Sequence, residues 1–203
     1  MPARVPAAVL AALATLLALT LGGCESSARG EAAATVTPSS TKRPAVESYR
    51  STRTYAAVAG PVRLRIPAIH VESTLMRLGR AADRTIAVPD RPERAGWYAE
   101  GPRPGQPGPA VLLGHVDWGS GPAVFFRLSE LRAGADIYVD RADGSTARFR
   151  VTGKARYPKT RFPTDLVYSP SLAPSLRLIT CGGAYNPATR EYRDNVIVFA
   201  APA

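Results

Sequence analysis

Beyond residue 60 no stretch of this 203-residue chain keeps a helical period for long; apolar residues come in short runs, each cut off by proline or glycine. Alternation with a period of two marks a strand with one buried face, and Pro/Gly punctuation keeps such strands short. "VRLRIP" (62–67) alternates apolar and basic residues, and "STLMRLG" (73–79) and "RTIAVP" (84–89) are further strand candidates. "AVLLGH" (110–115) reads as an interior strand. "ADIYVDRADGSTARFRV" (135–151) is the clearest hairpin, two alternating runs joined at Asp143-Gly144, a dipeptide suited to the positive φ of tight turns. "LRLITC" (176–181) and "NVIVFAA" (195–201) are apolar strands near the C-terminus. Only "FFRLSEL" (125–131) and "TDLVY" (164–168) suggest short helices, and "EGPRPGQPGP" (100–109) is a loop. Many short strands without a long helix predict a mostly β domain, an antiparallel barrel or sandwich.

The N-terminus has a different character. Arg4, an apolar run over residues 5–21 and small residues before Cys24 have the layout of a secretory signal. "LGGC" also resembles a bacterial lipobox, which would make Cys24 a lipidated first residue of the mature protein. An uncleaved anchor helix or free secretion are the alternatives. All three export the rest of the chain, so residues 1–23 are assigned as signal peptide or anchor. Residues 24–59, rich in Ala, Ser, Thr and Pro without apolar period, read as a flexible tether. Gly60-Pro61 marks the boundary, and 60–203 is the folded domain.

The formal charge of +10 carries little functional signal. Three of the 26 basic residues are lysine and the rest arginine, with no basic run of five and no aromatic-interleaved basic strip. No nucleic-acid partner is expected. Attraction to anionic lipid or wall polymer fits the charge better.

An exported chain with two cysteines, one of them spent at a lipobox, leaves Cys181 alone in an oxidising compartment. Such a thiol is either an inert buried group or a nucleophile. Of the two histidines, His70 lies on an alternating edge and reads as a solvated surface residue. His115 instead ends an apolar strand and leads into the loop "VDWGSG", where Asp117 reads equally as a partner of His115 or as a turn residue. Cys181 ends "LRLIT", and Arg193 opens the last strand. Imidazole and guanidinium near a thiol favour its thiolate, imidazole can protonate a leaving amine, and a guanidinium fork can hold an oxyanion. With no second histidine or cysteine pair nearby in sequence, no metal and no cofactor are expected.

These residues carry a resemblance. Leu178-Ile179-Thr180-Cys181 resembles the Leu-X-Thr-Cys signature of the sortases, "LLGHVDW" their histidine motif and "YRDNVIVFA" their arginine-bearing strand. The likeness runs from "VRLRIPAI" to the C-terminus and is nearest to the class F sortases of actinobacteria. It implies an eight-stranded sortase β-barrel with one or two short helices and a cysteine transpeptidase at the outer face of the membrane. Cys181 would be the nucleophile, His115 the general acid/base and Arg193 the oxyanion or substrate stabiliser, with Thr180 helping to orient the substrate carbonyl. The implied partners are a Leu-Pro-X-Thr-Gly-like sorting signal and an amine acceptor, a peptidoglycan precursor or a pilin lysine. The membrane is reached through the N-terminal anchor. The segment "YPKTRFPTDLVYSPSLAPS" (157–175) corresponds to the loop walling the substrate groove. The competing reading is an exported surface lipoprotein whose β domain binds wall polymer or protein, with Cys181 inert in its core.

Overall fold

A computed structural model describes residues 57–119 and 121–203. The signal-peptide or anchor reading of 1–23, lipidation of Cys24 and nearly all of the 24–59 tether lie outside the described residues.

The described chain is a sequence of strands with brief helical turns. β1 (Pro61–Ile66) and β2 (Val71–Leu78) pair antiparallel across a 3₁₀ turn, Pro67–Ile69, closed by exposed His70 in the left-handed region (φ 54). β3 (Ala95–Tyr98), β4 (Gly108–Leu113) and a separate hairpin of β5 (Asp117–Trp118) with β6 (Gly121–Pro122) follow. Then come a 3₁₀ turn at Leu128–Glu130, β7 (Asp136–Arg141), β8 (Thr146–Pro158), a 3₁₀ turn at Lys159–Arg161 and the short helix α1 (Thr164–Tyr168). β9 (Pro174–Asn186) and β10 (Glu191–Pro202) close the chain. Eight strands form a closed barrel in the order β1-β2-β3-β4-β9-β10-β8-β7, which removes the exposed sheet edges. The expected fold class, a mostly β eight-stranded barrel, is what is found.

Strand-level differences have local causes. "RTIAVP" forms no strand; Ile86 makes a lone bridge with Arg80. Asp83 Oδ1 accepts from the Thr85 amide (3.0 Å) and hydroxyl (2.6 Å), and Arg84 takes φ 68, so a side-chain turn replaces extension. "FFRLSEL" holds only the 3₁₀ turn. β3 was not expected: all four residues of "AGWY" are buried, so no alternation shows in the sequence. Two pairings, β2 with β3 and β4 with β9, are parallel. β9 also runs past Cys181 to Asn186 rather than ending there.

Alternation sorts the side chains of the closing strands onto two faces. Leu176 and Leu178 of β9, Val198 and Ala200 of β10 and Leu112 of β4 point into the barrel with Leu64, Ile66, Phe125, Ile137 and Phe149. Ile179 and Ile197 point the other way but are buried too, because Val167 of α1 closes over them with Val111 and Tyr98. The proline-stiffened segment before β9 therefore covers the outer face of β4, β9 and β10. Cys181 stands on this face, one alternation beyond Ile179.

Candidate active site

β9 lies between β4 and β10. Cys181 is directly opposite Asn195 on β10, so the two side chains share the outer face. Thr180 is opposite Val196 and alternates inward; it is 4% exposed, and its Oγ1 has no hydrogen-bond partner among the described residues. Gly182 and Gly183 let the strand continue past the thiol. A Cβ at Gly182 would sit 2.7 Å from Val196 Cγ2, and Gly183 (φ 77) lies against the Asp194 carboxylate, where no side chain fits.

The thiol is half-buried. Desolvation is the largest influence on it and pushes its pKa above the ordinary value. Lys159 opposes that shift, while the carboxylates of Asp117 and Glu191 reinforce it. At neutral pH the sulfur therefore rests protonated, and the thiolate fraction grows only as pH rises through the elevated value. Alkylation of Cys181 in the native protein is expected to show a pH midpoint above that of the same residue in the denatured chain. Mass-resolved iodoacetamide labelling across pH checks this; a native midpoint at or below the denatured one would contradict it.

His115 arrives from the neighbouring strand. The β4–β9 register pairs Leu113 with Ile179, and the Gly114 amide donates to the Ile179 carbonyl (3.2 Å). Carried two residues further, this register sets His115 beside Cys181. Its Nε2 lies 2.7 Å from the Pro89 carbonyl oxygen, which can only accept, so Nε2 carries a proton and Nδ1 is the free position in the neutral ring. The imidazole also meets Trp118 edge-on at 4.9 Å. Among the described residues no hydrogen bond joins the imidazole to the sulfur; adjacency is set by the backbone.

Arg193 sits where the β9–β10 register shifts, between Tyr192 opposite Tyr185 and Asp194 opposite Gly182. It is exposed and, among the described residues, forms no side-chain hydrogen bond or ion pair. As the residue at the shift it is placed by the bulge rather than by regular alternation, on the strand that pairs with the Cys181-bearing one. The three chemistry-bearing residues thus occupy neighbouring positions on three adjacent chain segments. Thr180 stands apart on the inward face.

Beside these residues stands a contact that the sequence did not point to. Tyr192 donates its phenol hydrogen to Asp117 Oδ2, and that bond, with desolvation, pushes the Tyr192 pKa up to about 12. Asp117 reads in sequence as readily as a turn residue, and Tyr192 carries no signal there beyond its place in "YRDNVIVFA". Among the described residues no group of three or more His, Cys, Asp or Glu side chains is arranged to hold a metal ion. A cavity of about 570 Å³ lies elsewhere, lined by Ile69, Ser129, Glu130, Leu131 and Lys154 among others.

A family model described as the sortase domain matches residues 64–203. No curated protein matches the chain. Among solved structures, sortase C-1 from Actinomyces oris is similar with TM-score 0.55 and 24% identity over 70% of this chain and 74% of that one. A lid mutant of sortase A from Corynebacterium diphtheriae aligns with TM-score 0.54 and 20% identity, covering 73% of each chain. The Sortase D5 transpeptidase of Clostridium perfringens aligns with TM-score 0.52 and 18% identity, over 71% of this chain and 79% of that one. At such identities the structural likeness speaks for the barrel, and the family match speaks for the rest.

Proposed function

The chain belongs to the sortase family of cysteine transpeptidases, and on that premise we propose that it cleaves a Leu-Pro-X-Thr-Gly-like sorting signal and passes the acyl part to an amine. Members of this family are extracytoplasmic and membrane-anchored; here the anchor would be the N-terminal segment, as a lipidated Cys24 or an apolar helix. The likeness running from "VRLRIPAI" to the C-terminus is nearest, within the family, to class F. The acceptor is a primary amine on a peptidoglycan precursor or a pilin lysine.

In this reading Cys181 is the nucleophile, His115 the general acid/base and Arg193 the oxyanion stabiliser. The resting thiol is protonated, so its proton moves to His115 as sulfur attacks the threonyl carbonyl. The carbonyl π electrons move onto oxygen, and Arg193 donates to that oxyanion. Collapse breaks the C–N bond, and His115 returns the proton to the departing glycyl amine. A thioester remains. The acceptor amine then attacks, forms the new amide and expels the sulfur, which regains a proton. Thr180, expected to help orient the substrate carbonyl, is buried on the inner face, so any such help would come through the β9 backbone rather than its side chain.

What supports the reading most is a half-buried, unpaired thiol on the outer face of β9, with the β4 end bearing His115 on one side and the β10 bulge bearing Arg193 on the other. The test is incubation of the full chain with a panel of Leu-Pro-X-Thr-Gly-type peptides, with and without amine acceptors. Intact-mass spectrometry is expected to show the enzyme plus the acyl fragment on Cys181, and an amide product when amine is present. A panel that yields neither adduct nor product, from a protein that still labels with iodoacetamide, would overturn it.

A further inference from the structure

The Tyr192–Asp117 hydrogen bond spans 75 residues and joins the two segments that flank Cys181. Asp117 opens β5, just after His115, in a two-stranded hairpin that stands outside the barrel. Tyr192 lies in β10 immediately before Arg193, where the register shifts. Its ring packs edge-on against Tyr185 of β9 at 5.2 Å, so the phenol is aimed from the barrel wall. Backbone bonds hold the base of the hairpin, Phe125 N–H to the His115 carbonyl (2.9 Å) and Ala123 N–H to the Val116 carbonyl (3.1 Å). Among the described residues of 116–122, Asp117 makes the one side-chain hydrogen bond.

We propose that Tyr192 is a positioning residue, which ties the His115-bearing loop to the Arg193-bearing strand through Asp117 and hydrogen-bonds the carboxylate that faces the Cys181 sulfur. Its catalytic consequence rests on the reading given above; its effect on the thiol does not. The charged groups acting on that sulfur are Lys159 from the 3₁₀ turn after β8, Asp117 from β5 and Glu191 from β10, with the Tyr192 phenol interacting with it as well; His115 at the end of β4 and Arg193 in the β10 bulge are the other titratable residues of the flanking segments. Lys159 is shared with Glu191 at 3.5 Å, so Asp117 is the carboxylate whose charge the phenol alone relieves. A hydrogen bond to a carboxylate disperses its charge, and a bare carboxylate beside a thiol makes ionisation harder.

Two substitutions separate anchor from charge. Tyr192→Phe deletes the tie and leaves the carboxylate bare; Asp117→Asn keeps an acceptor for the phenol and deletes the charge. In the full chain, the pH midpoint of Cys181 alkylation by iodoacetamide, followed by peptide mass, is expected to move up in Tyr192→Phe and down in Asp117→Asn. With the best peptide of the panel, Tyr192→Phe is expected to lose about tenfold in kcat with KM little changed. Midpoints unmoved in Tyr192→Phe, or moved the same way in both variants, would overturn the proposal. If Tyr192→Phe does not fold, an unmoved midpoint in Asp117→Asn has the same force. Failure of the wild-type enzyme on every peptide would sink the transpeptidase reading while these midpoints still decided the tie.

Discussion

Cys181→Ala is expected to reduce peptide cleavage to background, a loss of about a thousandfold or more, and to abolish the acyl-enzyme mass. With the sulfur gone, neither the imidazole nor the guanidinium can form a covalent intermediate, so the route is closed rather than slowed. The fold should tolerate the change. Cys181 is only half-buried, pairs with no other side chain among the described residues, and loses one atom at the rim of the outer apolar cluster. Such a truncation costs about 1 kcal/mol. Thermal unfolding near the wild-type temperature, together with abolished turnover, is the expected pair of results. A variant that still cleaves would show that the nucleophile lies elsewhere, and a protein indifferent to the change in every assay would be the non-catalytic binding module.

Arg193→Ala is expected to lower kcat/KM by about 100- to 1,000-fold, the cost of removing one donor from a developing oxyanion. Arg193→Lys should recover only part of it, since an ammonium lacks the planar fork that meets a charged oxygen with two parallel bonds. Because Arg193 is exposed and unpartnered among the described residues, neither change should alter thermal stability. The pH midpoint of Cys181 alkylation distinguishes two modes of action for the guanidinium. An unmoved midpoint assigns it to the oxyanion; a midpoint displaced upward assigns it to the thiolate. Full turnover in Arg193→Ala would remove it from the chemistry.

Where alternation and turn chemistry agree, the strands were legible. The Asp143-Gly144 hairpin forms as expected, with Gly144 at φ 82 and Asp143 Oδ1 accepting from the Ser145 amide at 3.0 Å. "TDLVY" is helical, and β4 is the interior strand its unbroken apolar run implies. "RTIAVP" misled because its period-2 pattern ignores the Asp83 side-chain turn that shortens it. Cys181-Gly182-Gly183 looked like a strand end because paired glycines usually are one. Here they are a through-route, required by the closeness of Val196 and Asp194. The candidate site was legible as three residue types in a familiar order. Their neighbourhood was not, since Asp117 and Tyr192 gain meaning only once β10 is folded beside the β5 hairpin.

The parallel pairing of β4 with β9 sets a timetable. Parallel strands cannot be joined by a tight turn, and contacts between distant parts of a chain form late because their closure entropy must be met first. In this chain β7, β8 and α1 lie between the paired strands, so a long stretch of chain must be closed before His115 and Cys181 become neighbours. A nascent or half-folded molecule carries an ordinary thiol, more readily ionised than the folded one because burial has not yet raised its pKa. What completion of the barrel adds, in the proposed reading, is the company of His115 and Arg193.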